Sequence, residues 1–137
     1  MVKLEKLPTV IPVVAVALVR QDGHVLMQQR PFGKAHGGLW EFPGGKVDAG
    51  ETLDAALIRE IDEELGIVLD ADALMPLTFA AIAGEPFVIL LYTCRHWRGV
   101  PRCLEGEAID WFAPAELEGL KMPPLDVPLA KALKGVI

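Results

Sequence analysis

Residues 41–67 read EFPGGKVDAGETLDAALIREIDEELGI, and this stretch decides the fold. Leu53, Leu57, Ile61 and Leu65 recur at intervals of four, the spacing of one apolar stripe on an α-helix. The pattern predicts a helix from Thr52 to Leu65, with Gly66 as the residue that ends it in a left-handed turn. Around it stand eight acids, Glu41, Asp48, Glu51, Asp54, Glu60, Asp62, Glu63 and Glu64, against only Lys46 and Arg59. At about 100° per residue, Glu60, Glu63 and Glu64 fall within an arc of about 100°, so their carboxylates point at nearly one place. Like charges three and four residues apart repel. A solvated acidic face is one reading of such a run. The other is a hard divalent cation, and Mg²⁺ in particular binds through a few carboxylates plus substrate phosphates.

Upstream, Val10 to Val19 is an apolar run rich in β-branched residues, and Asp22-Gly23 predicts a hairpin turn into a second strand, His24 to Gln29. Residues 31–38, PFGKAHGG, predict a surface loop, and Leu39 to Phe42 a short strand broken by Pro43-Gly44-Gly45. Downstream, Leu74 to Ala83 and Pro86 to Arg95 flank Gly84-Glu85 as two strands with a tight connection. Ile109 to Phe112 adds another strand and Pro114 to Leu120 one or two helical turns. Val127 to Leu133 predicts a terminal helix after Pro123-Pro124. Hairpin neighbours separated by a long helix predict an α/β fold, a mixed sheet with helices on its faces.

The length of 137 residues, 52% hydrophobic and 23% charged, predicts a single domain over 1–137. The net charge of −6, with no basic block, argues against a nucleic-acid polymer as partner. Cys94 and Cys103 are too few for a disulfide framework and lack the C-x-x-C spacing of a redox or zinc pair, so a cytoplasmic location with both thiols structural is expected. Lys3 and Lys6 ahead of Val10–Val19, with Ala15-Val16-Ala17, imitate a secretory signal. Against that, Pro8 and Pro12 interrupt the segment, Glu5 sits among the bases, and the run falls short of the about 20 residues of a membrane span. It reads as a buried strand, and no membrane partner is expected.

The acidic helix and its approach match G-x5-E-x7-R-E-U-x-E-E-x-G-U, with U a bulky aliphatic residue, at every specified position: Gly45, Glu51, Arg59, Glu60, Ile61, Glu63, Glu64, Gly66 and Ile67. That pattern is the signature of the Nudix hydrolases, which this sequence resembles. LMQQR, LWEFPGGKVDAGET, Glu105-Gly106-Glu107 and the tail MPPLDVPLAKAL are similar to the MutT branch, over nearly the whole chain. The resemblance implies a Nudix fold, an α/β/α sandwich, that hydrolyses a nucleoside diphosphate linked to another moiety. In the MutT branch the substrate is a nucleoside triphosphate such as 8-oxo-dGTP, cleaved to the monophosphate and pyrophosphate by a monomer or dimer. Nudix-like modules that only bind typically lose residues of this signature, which is intact here.

By the same resemblance, Glu60, Glu63 and Glu64 hold Mg²⁺, or Mn²⁺ in its place, with the backbone carbonyl of Gly44 and with Glu105 from a later loop. The general base is Glu60 or Glu105. Arg59 is either an i+4 partner of Asp62 or Glu63 or, as the family likeness has it, bonded to Glu51 to brace the loop against the helix; bracing is preferred. Lys46 is either a solvated turn residue or a charge that stabilises the leaving phosphate. Arg30 resembles the residue that grips the substrate phosphate in MutT enzymes.

The base-reading residues leave a fork. MutT enzymes specific for 8-oxoguanine carry Pro-Pro-Ala-Asn where this chain has Pro123-Pro124-Leu125-Asp126, and the related CTP pyrophosphohydrolases carry Pro-Ala-Asp. An ionised Asp126 only accepts hydrogen bonds, which suits guanine N1–H and N2–H₂ as well as the cytosine N4 amino group; otherwise Asp126 is a helix cap. Trp40 and Phe42 either stack on the base or pack in the core. Trp97 and Trp111 are expected to pack structurally. His36, in the glycine-rich loop, is a candidate substrate contact.

Overall fold

Val14, Val16 and Leu18 alternate with Ala15 and Ala17 along strand β1 (Ile11–Leu18), and all five are buried. Both faces of the strand are therefore covered, which is why the segment reads as a continuous apolar run rather than an alternating one. In this computed structural model, which describes residues 9–137, Val14, Val16 and Leu18 pack with Leu57, Ile61 and Leu65 of helix α1 (Leu53–Leu65). Ala15 and Ala17 pack with Leu129 and Leu133 of helix α2 (Asp126–Leu133). The part of the secretory-signal reading that rests on Lys3, Glu5, Lys6 and Pro8 lies outside the described residues.

The sheet between the two helices contains β4 (Gly44–Lys46), β1, β7 (Phe87–Cys94) and β6 (Met75–Ala81), in that order. Strand β1 runs parallel to β7, from Ile11 opposite Phe87 to Leu18 opposite Cys94, while β4 and β6 pair antiparallel. The sheet is mixed and the architecture an α/β/α sandwich, as expected. Strand β2 (Val25–Gln29) lies instead in a second sheet, between β3 (Trp40–Glu41) and β9 (Ala108–Phe112).

Two expectations need correcting. The turn at Asp22-Gly23 forms, with the Arg20 N–H donating to the His24 carbonyl at 2.9 Å, but the predicted hairpin goes no further than one bridge between Val19 and Val25, and β1 and β2 belong to different sheets. β1 is apolar throughout and β2 is apolar at Val25, Leu26 and Met27, so each pairs where it buries most rather than with its sequence neighbour. The glycines after Pro43, read as a break, themselves form β4, because only residues without side chains let the strand approach β1 and α1. The two-residue strands β5 (Val68–Leu69) and β8 (Trp97–Arg98) pair antiparallel and were too short to leave a pattern.

Candidate active site

Helix α1 starts where Thr52 Oγ1 accepts a hydrogen bond from the Ala55 N–H and ends at Gly66 with φ 69°. It is packed against β4 so closely that a Cβ on Gly45 would collide with the Glu60 carboxyl. At the other end of α1, the N–H groups of Arg102 and Leu104 donate to the carbonyls of Leu65 (2.9 Å) and Glu64 (3.0 Å). These bonds satisfy two of the carbonyls that every helix end leaves unpaired. They also draw the 102–107 segment against the helix, with the Glu107 N–H bonded to the Gln29 carbonyl and Gly106 pressed on Gln28. Glu105 thereby comes near enough for its charge to raise the pKa of both Glu60 and Glu64.

Arg59 lies in the middle of the acids. Its Nε and Nη2 each reach a Glu51 oxygen at 2.8 Å, and Nη1 reaches Glu60 at 3.1 Å and Glu63 at 3.3 Å. Nη2 also meets the Lys46 carbonyl and Asp48, both at 3.3 Å. The guanidinium thus spans the loop and the helix, and it bonds Glu63 but not Asp62. Glu51 in turn accepts from the Asp48 N–H, and with Arg59 beside it its pKa is held down to about 2.

Glu64 points inward and is 7% exposed. Gln28 Nε2 donates to its Oε1 at 3.2 Å, while Oε2 is buried without a partner. Burial, with the charges of Glu60, Glu41 and Glu105 adding to it, raises its pKa to about 8. Burial also raises Glu60, against the opposing pull of Arg59. The expected convergence of three carboxylates on one point is thus not what the described residues show. Arg59 holds Glu60 and Glu63, Glu64 turns in to Gln28, and among the described residues no three acidic, His or Cys side chains close around a common point. The donor set still fits a hard divalent cation: its donors are all oxygen, it is crowded with like charge, and it holds one buried carboxylate oxygen with nothing bound to it.

The remaining predicted residues lie as follows. Arg30 donates from Nη1 to both Glu41 oxygens (3.1 and 3.0 Å) and from Nε to the Ala35 carbonyl at 2.8 Å. His36 sits in the exposed loop with φ 56°. Trp40 is half-buried and packs edge-on against Phe112, with centroids 5.2 Å apart. Phe42, 3% exposed, packs in the core beneath α2, the second of its two expected placements. What it offers is its backbone N–H, which donates to Asp126 Oδ2 at 3.0 Å. Asp126 is 4% exposed, and burial raises its pKa to about 7. It is the first residue of α2 and makes no capping bond to that helix. Lys46 alternates with Gly45, so it projects to the sheet face opposite α1, where its Nζ lies over the Phe87 ring at 5.6 Å. Lys46 Nζ thus lies on the other face of β4 from the carboxyl of Glu60. Trp97 and Trp111 stack on each other at 6.1 Å. Cys94 is buried and Cys103 exposed, neither in a disulfide.

Gln28 and Glu41 were missed as site residues. They are direct partners across β2 and β3, so both side chains leave the small sheet on one face, toward Glu64. For Gln28 the signal in the sequence was a polar side chain following Val25, Leu26 and Met27 in a strand read as buried.

A profile of the NUDIX domain matches residues 9–134. The chain is 34% identical to a CTP pyrophosphohydrolase of Escherichia coli, over 87% of this chain and 88% of the relative. It is 35% identical to an 8-oxo-dGTP diphosphatase of Haemophilus influenzae, over 88% and 89%. Among solved structures, a MutT NUDIX hydrolase from Burkholderia pseudomallei superposes with a TM-score of 0.74 at 34% identity, covering 93% of this chain and 98% of that one.

Proposed function

The chain belongs to the Nudix family, and from that premise we propose that it is a MutT-type nucleoside triphosphate pyrophosphohydrolase, cleaving an oxidised purine nucleotide such as 8-oxo-dGTP to the monophosphate and pyrophosphate. One observation carries the reading. Glu60 is pressed against Gly45 and braced by Arg59, beside a buried Glu64 that keeps a free oxygen. The similarity to the 8-oxo-dGTP diphosphatase of Haemophilus influenzae supports it.

In this reading Glu60, Glu63, Glu64, Glu105 and the carbonyl of Gly44 hold Mg²⁺, with Mn²⁺ as a substitute. The ion supplies an activated water and neutralises charge developing on the phosphate oxygens. Either Glu60 or Glu105 takes the proton of the attacking water. Arg59 fixes the direction of Glu60 while Glu51 fixes Arg59. Arg30 is anchored through Nε and Nη1 and has no described hydrogen bond at Nη2, which is the nitrogen we assign to a substrate phosphate. Asp126 reads the base, as an acceptor when ionised and as a donor when protonated, and Trp40 and His36 are assigned as further substrate contacts. A nucleotide of the cytoplasmic pool, rather than a nucleic-acid polymer, is the partner that this small acidic protein suits. No helix among the described residues is long and apolar enough to cross a membrane.

A second reading is hydrolysis of CTP or a modified pyrimidine nucleotide. It is favoured by Asp126 and by the similarity to the Escherichia coli CTP pyrophosphohydrolase. Measuring kcat/KM for 8-oxo-dGTP, dGTP, CTP, dCTP, 5-methyl-dCTP and ADP-ribose decides between them, since discrimination is the ratio of those values. The first reading expects 8-oxo-dGTP to lead. A lead for CTP or 5-methyl-dCTP transfers the assignment to the second, and no turnover of any of them with Mg²⁺ removes both.

A further inference from the structure

Gln28 is the fourth of the five residues of β2 and is 4% exposed. A buried amide is costly unless its groups are hydrogen-bonded. Here Nε2 has one partner, Glu64 Oε1 at 3.2 Å, and Oε1 has none. An apolar side chain of the same length would avoid that cost, so the amide contributes little to folding. Its placement is nonetheless tight. β2 is paired on both edges, with Glu41 and Ile109 opposite Gln28, and a Cβ on Gly106 would stand 2.7 Å from Gln28 Cγ. The amide is therefore held from three sides and aimed at one carboxylate oxygen. A carboxylate oxygen only accepts, so the amide nitrogen is the atom that faces it. The other Glu64 oxygen is left buried and unbonded.

We infer that Gln28 is a positioning residue, whose amide holds one oxygen of Glu64 so that the other is presented to the divalent cation. The inference rests on the metal-dependent reading above and adds a residue that the family signature does not contain. A partner outside the ligand set that orients a ligand typically accounts for about 10- to 100-fold in metal affinity.

The test is a double-mutant cycle on the full chain, with Mn²⁺ affinity read from the electron paramagnetic resonance of free Mn²⁺ and folding checked by thermal melting. Gln28→Met removes the donor at nearly constant volume and is expected to weaken Mn²⁺ binding by about tenfold or more. In a Glu64→Gln background the same change should move the affinity by less than about twofold, because Gln28 acts only through Glu64. Gln28→Asn keeps the amide but draws it back by one methylene; it is expected to give the same pattern and replaces Gln28→Met should that variant not fold. Equal losses in both backgrounds, or an affinity within about twofold of wild type in the Gln28 variant, overturn the inference. Nucleotide turnover by the wild-type chain is measured alongside. A chain that hydrolyses none of the nucleotides yet shows the coupled loss of Mn²⁺ affinity keeps the positioning role and loses the proposed activity. An active chain without that coupling does the reverse.

Discussion

Two nitrogens of Arg59 meet the two carboxylate oxygens of Glu51, Nε and Nη2 each at 2.8 Å. The planar fork of the guanidinium matches the carboxylate, which a lysine cannot reproduce. Because Glu51 also accepts the Asp48 N–H at 2.9 Å, the loop after β4 and the middle of α1 are fixed relative to each other. Arg59 Nη1, pointing the other way, then holds Glu60 at 3.1 Å.

Arg59→Lys is therefore expected to lower kcat by about 10- to 100-fold, the usual effect of losing an orienting contact around a metal site, with a smaller change in KM for the nucleotide. Steady-state kinetics check this. A kcat equal to that of wild type would reduce the Arg59–Glu51 pair to a surface contact.

Gly45→Ala introduces a methyl group where the Glu60 carboxyl now lies. The expected outcome is a folded protein with kcat down by about 100-fold, since misplacing a catalytic group by about 1 Å has that effect. Far-ultraviolet circular dichroism and turnover measured together check it. Normal turnover in the alanine variant would mean that Glu60 has room to move and that its present position is not the working one.

Asp126 gives a pH prediction with a definite sign. Burial lifts its pKa from 3.8 to about 7, so the folded chain keeps a proton that the unfolded chain releases. Its contribution to stability is fully present below about pH 4 and is lost as pH rises toward 7. Asn at this position does not titrate and still accepts the Phe42 N–H. The melting temperature of Asp126→Asn minus that of wild type should therefore increase between pH 5 and pH 8. The wild-type ratio of 8-oxo-dGTP to CTP turnover should change with pH over the same range, and that of the variant should not. A melting difference that is constant with pH would place the Asp126 pKa near its ordinary value, and a turnover ratio untouched by the substitution would remove Asp126 from base reading.

How much of this was legible in sequence follows from the range of the forces involved. The helix from Thr52 to Leu65 was readable because its apolar stripe and its caps are local, and Gly66 ends it as read. The α/β/α layering was readable because β1 is apolar on both faces. The partner of β1 was not: burial rewards any apolar neighbour, and the parallel pairing with β7 is set by contacts more than seventy residues distant in sequence. At the site, the spacing placed Glu60, Glu63 and Glu64 on one helix face. It could not show that Arg59 would take up two of the three carboxylates, nor that Gln28 from another sheet would take the third. The directions in which Phe42 and Lys46 point were not legible, for one reason. In extended chain, adjacent residues face opposite sides, and which side meets the core is decided by the packing of α2 and the approach of β4.

The central claim is that these carboxylates serve a metal-dependent attack on a phosphoanhydride, and its most direct test is product analysis with 8-oxo-dGTP and CTP in the presence of Mg²⁺. The account predicts equimolar monophosphate and pyrophosphate, with release abolished by excess chelator. In Glu60→Gln, which is nearly isosteric, turnover should fall by at least about 100-fold while the melting temperature stays close to that of wild type. Orthophosphate as the only inorganic product, or full turnover in chelator, would contradict it.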